Sequence, residues 1–112
     1  MFQMNKADYY FEKNYERRQE VIEMVISGEL KPNLRGRIPL PDPYKGLSYR
    51  DEIFITSKYN GYIIYFMIEP GFLGDSKGYA FYFDVYDYEA PELWDFDVVK
   101  EYRDGWCYSR TG

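Results

Sequence analysis

The sequence contains no histidine, a single cysteine and no long run of apolar residues. Without histidine, the chain lacks the side chain that most often serves as a general base or a metal ligand near neutral pH. Cys107 alone cannot form an internal disulfide, and the apolar runs are too short for a signal-peptide core or a membrane span. We therefore expect a cytoplasmic protein with no membrane partner and no disulfide.

A length of 112 residues fits one domain with a modest core. We therefore expect a single domain over residues 1–112. What the sequence has in excess is tyrosine, with 14 copies, beside a formal net charge of −5. A tyrosine ring has an apolar body and a polar tip, which suits half-buried positions and contact surfaces. Since a small core cannot enclose so many rings, we expect several at the surface, either covering sheet faces or forming an interface.

The first segment predicts one long helix over residues 6–27. Asn5 is a candidate N-cap, Asp8 places a carboxylate in the first turn, and Gly28 suits the position after the helix end. Arg18 interrupts the expected buried stripe, and we expect its guanidinium to reach the edge of the core. The stripe itself comprises Ala7, Phe11, Tyr15, Ile22 and Val25.

Residues 29–50 contain four prolines, which predict a long extended connection. From Asp51 the apolar pattern changes to period two. It predicts strands at residues 51–57 and 62–69, joined by a Tyr59-Asn60-Gly61 turn, and a third strand at residues 79–88.

The last part of the chain is less clear in pattern. Pro91 suits the first turn of a short helix, while the residues after it also fit a strand or irregular structure. Residues 104–110 predict a final edge strand. The predicted fold class is therefore α+β: one long N-terminal helix packed on a three- to four-stranded antiparallel sheet (a meander).

Residues 79–101 carry seven carboxylates and one lysine. Strict alternation would turn the odd-numbered residues from Tyr79 to Val85 toward the core and the even-numbered residues outward. The outward face, continued into the following residues, predicts a partner-binding surface of rings and carboxylates. Its predicted members are Tyr82, Asp84, Tyr86, Asp87, Tyr88, Glu89, Glu92, Asp95 and Asp97.

No arrangement of residues indicates catalysis. The carboxylates of residues 84–97 could hold Mg²⁺ or Ca²⁺ only if folding gathered them, and no spacing in the sequence fixes such a site. No serine or cysteine nucleophile has a partner. The glycine-rich residues 70–78 lack the Gly-Lys-Ser/Thr order before a helix that a phosphate loop requires. We expect neither enzyme activity nor a cofactor or metal.

Small size, acidity and the lack of catalytic groups together predict a binding or inhibitor protein. Carboxylates separated by tyrosine rings imitate the phosphates and flat bases of a nucleic acid, so they fit a groove lined by Lys and Arg. The expected partner is a basic protein, either a nucleic-acid-handling enzyme or a toxin. The most concrete version is a phage or mobile-element protein that blocks a host defence nuclease, as anti-CRISPR proteins do. An immunity protein that neutralises a basic toxin uses the same surface physics.

The alternative is a nucleic-acid-binding module built on residues 31–50, which carry a net charge of +4. The overall negative charge disfavours this alternative, because a polyanion would be repelled by most of the molecule. Self-association is also compatible with the exposed rings. The basic residues concerned are Arg35, Arg37, Lys45 and Arg50, with Tyr44 and Tyr49 beside them.

Overall fold

The computed structural model describes residues 5–58, 60–86 and 88–112. These residues form two helices and six strands, which join one antiparallel sheet in the order β1-β2-β3-β4-β6-β5. The helices are α1 (Lys6–Lys13) and α2 (Tyr15–Ile26), and the strands are β1 (Arg37–Pro39), β2 (Glu52–Lys58), β3 (Gly61–Pro70), β4 (Ser76–Phe83), β5 (Phe96–Glu101) and β6 (Trp106–Thr111). Neither described helix is long and apolar enough to cross a membrane.

The prediction of one long helix on a three- to four-stranded meander is wrong. The helical segment divides at Asn14, whose φ of −112° and ψ of 13° lie outside the helical range. The Asn14 side chain donates a hydrogen bond to the Tyr10 carbonyl at 3.3 Å, and such local bonds compete with a continuous helix. The predicted start of the helix is confirmed, since the Asn5 Oδ1 accepts a hydrogen bond from the Asp8 amide at 2.9 Å.

The predicted extended connection over residues 29–50 contains a strand. β1 pairs with β2 in the register Ile38↔Ile53, and Ile38 is buried in the core. Pro39 is tolerated here because β1 lies at the edge of the sheet, where one side of the strand needs no ladder partner. A strand of three residues that includes a proline is too short to produce a recognisable period of two in the sequence, so it was not predicted.

The predicted antiparallel pairing of β2 with β3 is confirmed, whereas the predicted place of Gly61 in the turn is wrong. Lys58 pairs with Gly61, so that Gly61 belongs to β3. Tyr59 of the predicted turn lies outside the described residues. Ile63, in the middle of the predicted sheet, is fully buried.

The last two strands form a hairpin whose position in the sheet differs from the predicted one. β6 is not an edge strand, because it pairs with β4 on one side and with β5 on the other. The turn between β5 and β6 contains Asp104 and Gly105 with φ of 58° and 87°. Positive φ at both central positions is what a type I′ turn requires, and Asp-Gly is a favoured sequence for it.

Side chains cover the sheet on both faces. On the helix side, Phe11, Val21, Ile22 and Val25 of the helices pack in one cluster with sheet residues such as Trp106. On the opposite side, a second cluster includes Phe54, Ile63, Tyr65, Ala80, Phe96 and Cys107.

Arg18 does not reach the edge of the core as expected. It is 2% exposed, and its guanidinium lies 4.3 Å from the centre of the Tyr79 ring. Its Nη1 donates to the Tyr10 carbonyl at 3.2 Å. Burial lowers the pKa of Arg18 to about 10.

Candidate partner-binding surface

Residues 84–95 connect β4 to β5, and we call this segment the crossover. Its first part stays on the helix side of the sheet. Tyr86 packs against Tyr62 and Phe83 with ring centroids 5.4 and 5.8 Å apart. Farther along, the Lys31 ammonium lies 5.6 Å from the centre of the Tyr88 ring, just after the end of α2.

The crossover then passes the edge of β2, where one buried threonine fixes its backbone. The Thr56 hydroxyl donates to the Pro91 carbonyl at 2.8 Å and accepts a hydrogen bond from the Leu93 amide at 2.9 Å. The Ser57 amide also donates to the Pro91 carbonyl, at 2.9 Å. Glu92 is therefore held on both sides by backbone contacts to β2.

The last part of the crossover lies on the opposite face of the sheet. Trp94 packs edge to face on Phe54 and Tyr65, with centroids 4.9 and 5.8 Å apart. Phe96, the first residue of β5, packs on Tyr65 at 5.1 Å. Asp95 lies between these two packed aromatic residues, so its backbone is fixed as well.

Four carboxylates of the crossover are exposed: Asp84, Glu89, Glu92 and Asp95. None of the four forms an ion pair with another of the described residues. Glu12, by contrast, accepts a bidentate hydrogen bond from Arg103, which lowers the pKa of Glu12. The crossover thus presents carboxylates that form no ion pair within the described part of the chain. Two ammonium groups lie near it: Lys31 at the Tyr88 ring, and Lys58, which donates to the Phe96 carbonyl at 3.4 Å.

The predicted surface residues do not lie on one face. Tyr82 is exposed on the side opposite the helices, as alternation along β4 requires. Asp97 lies across from Arg110 on the helix side, with 3.9 Å between Oδ2 and Nη2. Tyr88 and Glu89 line a groove of about 470 Å³ beside Leu34.

Two further positions depart from the predicted alternation. Tyr86 is half-buried in the helix-side cluster, whereas Val85, which alternation assigned to the core, is 72% exposed. The reason is that β4 ends at Phe83, so the period of two does not continue beyond it. Asp87 lies outside the described residues.

The basic residues of the alternative nucleic-acid site are partly paired with carboxylates. Arg37 lies 3.7 Å from Glu52, and Lys45 lies 2.9 Å from Asp42, whose carboxylate raises the pKa of Lys45. The remaining two basic residues, Arg35 and Arg50, are exposed, and the Arg50 guanidinium lies 5.3 Å from the centre of the Tyr49 ring.

Sequence reasoning missed a polar network that joins α1 to the β5–β6 hairpin. The Asp8 carboxylate accepts hydrogen bonds from the Lys100 ammonium at 2.6 Å and from the Tyr102 hydroxyl at 2.8 Å. The bond from Lys100 is the main reason why the pKa of Asp8 lies below its ordinary value, although burial opposes it. The partners are more than 90 residues apart in the chain, so no local pattern could have revealed them.

This network borders an open groove of about 820 Å³ that Tyr10, Tyr79 and Tyr108 also line. Both oxygens of Asp8 are engaged, and the Tyr79 hydroxyl donates to the Ala7 carbonyl at 2.5 Å. These groups hold α1 against the sheet.

Within residues 5–58, 60–86 and 88–112, no three Cys, Asp or Glu side chains come together as a metal site would require. Comparison of the chain with family models, with curated proteins and with solved structures found no match.

Proposed function

We propose that this protein is a non-enzymatic binding protein whose crossover docks on a basic groove of a partner protein. The observation that carries the proposal is the set of exposed carboxylates at Glu89, Glu92 and Asp95, which lack ion-pair partners in the described part of the chain. A groove lined by Lys and Arg would supply the missing charges.

The rigidity of the crossover favours such binding. A loop that is ordered only on docking loses conformational entropy at that moment, which weakens the complex. Here Thr56 fixes the backbone at Glu92, and Trp94 fixes it at Asp95, before any partner arrives. Fixed charges also accelerate the encounter with a basic surface.

A basic groove of this kind is typical of proteins that handle nucleic acids, so the proposed role is inhibition by occupation of that groove. The most concrete form is an anti-defence protein of a phage or mobile element that acts on a host nuclease. An immunity protein against a basic toxin would use the same surface, and the identity of the partner separates the two.

The test compares two triple variants in affinity capture from the source cell, followed by quantitative mass spectrometry. One variant neutralises the crossover (Glu89→Gln, Glu92→Gln, Asp95→Asn), and the matched control neutralises three exposed helix-side carboxylates (Glu16→Gln, Glu23→Gln, Glu29→Gln). Each variant removes three negative charges and changes the formal net charge from −5 to −2. We expect the parent and the control to retain one basic nucleic-acid-handling protein that the crossover variant loses at least about tenfold, since charged contacts at an interface are worth this much or more.

Added DNA or RNA should displace that partner from the parent. Equal loss in both triple variants would show that only net charge matters, and retention in both would exclude the crossover as the site. Binding of the purified parent to bare DNA or RNA that is abolished by Arg35→Ala with Arg50→Ala would replace the proposal with the nucleic-acid alternative.

A further inference from the structure

The turn between β3 and β4 displays two large apolar side chains to solvent. Phe72 is 92% exposed and Leu73 is 104% exposed relative to the reference state. The turn itself is ordered by backbone hydrogen bonds: the Gly71 amide donates to the Asp75 carbonyl at 2.8 Å, and the Asp75 amide donates to the Phe72 carbonyl at 3.4 Å. Residues 71–75 therefore form an ordered turn, which we call the tip, with two adjacent apolar side chains in water. Such exposure is unfavourable unless the side chains contact a partner.

The backbone at position 73 adopts a conformation that is unfavourable for leucine. Leu73 has φ of 60° and ψ of 26°, and Gly74 follows with φ of 87°. The β5–β6 turn has the same pair of positive φ values but uses Asp104 and Gly105, a sequence that suits this conformation. Leucine is disfavoured in the left-handed region because its Cβ crowds the following carbonyl. Neither turn conformation nor burial therefore explains leucine at position 73.

The tip lies at the same end of the sheet as the final part of the crossover. Ser76 at the base of the tip pairs with Thr111, and Thr111 pairs with Phe96, which directly follows Asp95. Two strand spacings, roughly 10 Å, therefore separate the base of the tip from the beginning of β5. The apolar tip and the exposed Asp95 are thus neighbours at one end of the sheet.

We propose that Phe72 and Leu73 form an anchor that inserts into an apolar pocket of a partner protein, beside basic residues that meet Asp95. The basic half of this interface rests on the proposed function, whereas the apolar half rests on the tip alone. Buried apolar anchors surrounded by charged residues are the usual composition of tight protein interfaces.

A membrane is the less suitable occupant for this tip. The formal net charge is −5, so anionic headgroups would repel the molecule as a whole. Next to the tip, the charges of Glu69 and Asp75 are offset by those of Lys77 and Arg110. Two apolar side chains also give only marginal membrane affinity.

The first experiment replaces Phe72 with the photoreactive residue p-benzoylphenylalanine and irradiates the source cell. The control carries the same probe at Tyr9, which is 52% exposed on α1 and belongs to neither the crossover nor the tip. We expect one discrete protein adduct from the Phe72 probe, at a yield at least about tenfold above that of the Tyr9 probe. Absence of an adduct, equal yields from both probes, or a lipid adduct would overturn the proposal.

The second experiment titrates the cross-linked protein, once purified, with the parent and with serine variants by calorimetry. Phe72→Ser should weaken binding about 30-fold, which corresponds to about 2 kcal/mol, while Tyr9→Ser should stay within about threefold. Because both side chains are exposed, the variants should retain the parent circular-dichroism spectrum. Parent-like affinity of Phe72→Ser and Leu73→Ser, or cosedimentation of the parent with phosphatidylcholine vesicles containing phosphatidylglycerol, would refute the anchor.

The two proposals fail separately. If the tip variants bind like the parent while the crossover triple variant loses the partner, the anchor is refuted and the proposed function stands. If the tip variants lose the partner while the crossover triple variant binds like the parent, the proposed function is refuted and an apolar docking tip remains.

Discussion

Substitution of Thr56 by valine should release the crossover from β2 with little change in side-chain volume. The hydroxyl makes two hydrogen bonds to the crossover, to the Pro91 carbonyl and from the Leu93 amide, and it is fully buried. In Thr56→Val the Pro91 carbonyl keeps the Ser57 amide as a donor at 2.9 Å, so only the Leu93 amide loses its described partner. One buried donor left without an acceptor costs about 1–3 kcal/mol.

The assay is urea unfolding with a matched Thr56→Ser control, which keeps the hydroxyl and removes only a methyl group. We expect the free energy of unfolding of Thr56→Val to fall by about 1–3 kcal/mol, and that of Thr56→Ser to fall less. Amide hydrogen exchange at Leu93 should accelerate in Thr56→Val while exchange in the β3–β4 ladder changes only by the global loss of stability. Parent-like stability together with parent-like exchange at Leu93 would refute the reasoning that this hydroxyl fixes the crossover.

Two further predictions concern α1 and the tip. In Asp8→Asn the Lys100 ammonium loses its carboxylate, so stability near neutral pH should fall by about 1–3 kcal/mol. The folded pKa of Asp8 lies below its ordinary value of 3.8, so the carboxylate stabilises the parent above that value, and this contribution disappears as pH falls through the folded pKa. The melting temperatures of the parent and of Asp8→Asn should therefore converge between neutral and strongly acidic pH. A difference in melting temperature that stays constant over this range would contradict the role assigned to Asp8. Leu73→Asn should raise the free energy of unfolding by roughly 0.5–1 kcal/mol, because asparagine tolerates positive φ. Urea unfolding measures this change. A variant less stable than the parent would show that leucine makes a stabilising contact.

The sequence was informative where local pattern and local chemistry agree. The two antiparallel strands β2 and β3 could be predicted because the period of two continues through both of them up to a short turn. The N-cap at Asn5 could be predicted because its partner, the Asp8 amide, lies three residues away. The break at Asn14 could not, since an asparagine within a helical pattern is tolerated as often as it interrupts.

The region after Phe83 could not be assigned from pattern, because its path depends on distant contacts. The Thr56 hydroxyl that directs the crossover is 35 residues from Pro91 in the chain. β5 is an edge strand with a register shift between Val98 and Lys100, so its apolar residues follow no single period. Exposure of Glu92 and Asp95 was predictable from residue type alone, whereas the burial of Tyr86 follows from the path of the crossover.

The interior position of β6 has a consequence for how the chain reaches its native state. Until the β5–β6 hairpin docks, β4 is an open edge whose unpaired amides and carbonyls lie beside the aromatic rings of Tyr79 and Phe81. Open edges of this kind template pairing with other chains, so aggregation competes with docking during refolding. We expect a substitution of Gly105, whose φ is 87°, to slow hairpin closure, because any side chain there strains the turn. Substitution of Gly105 should therefore lower the yield of soluble protein during expression by more than its effect on the stability of folded molecules would account for.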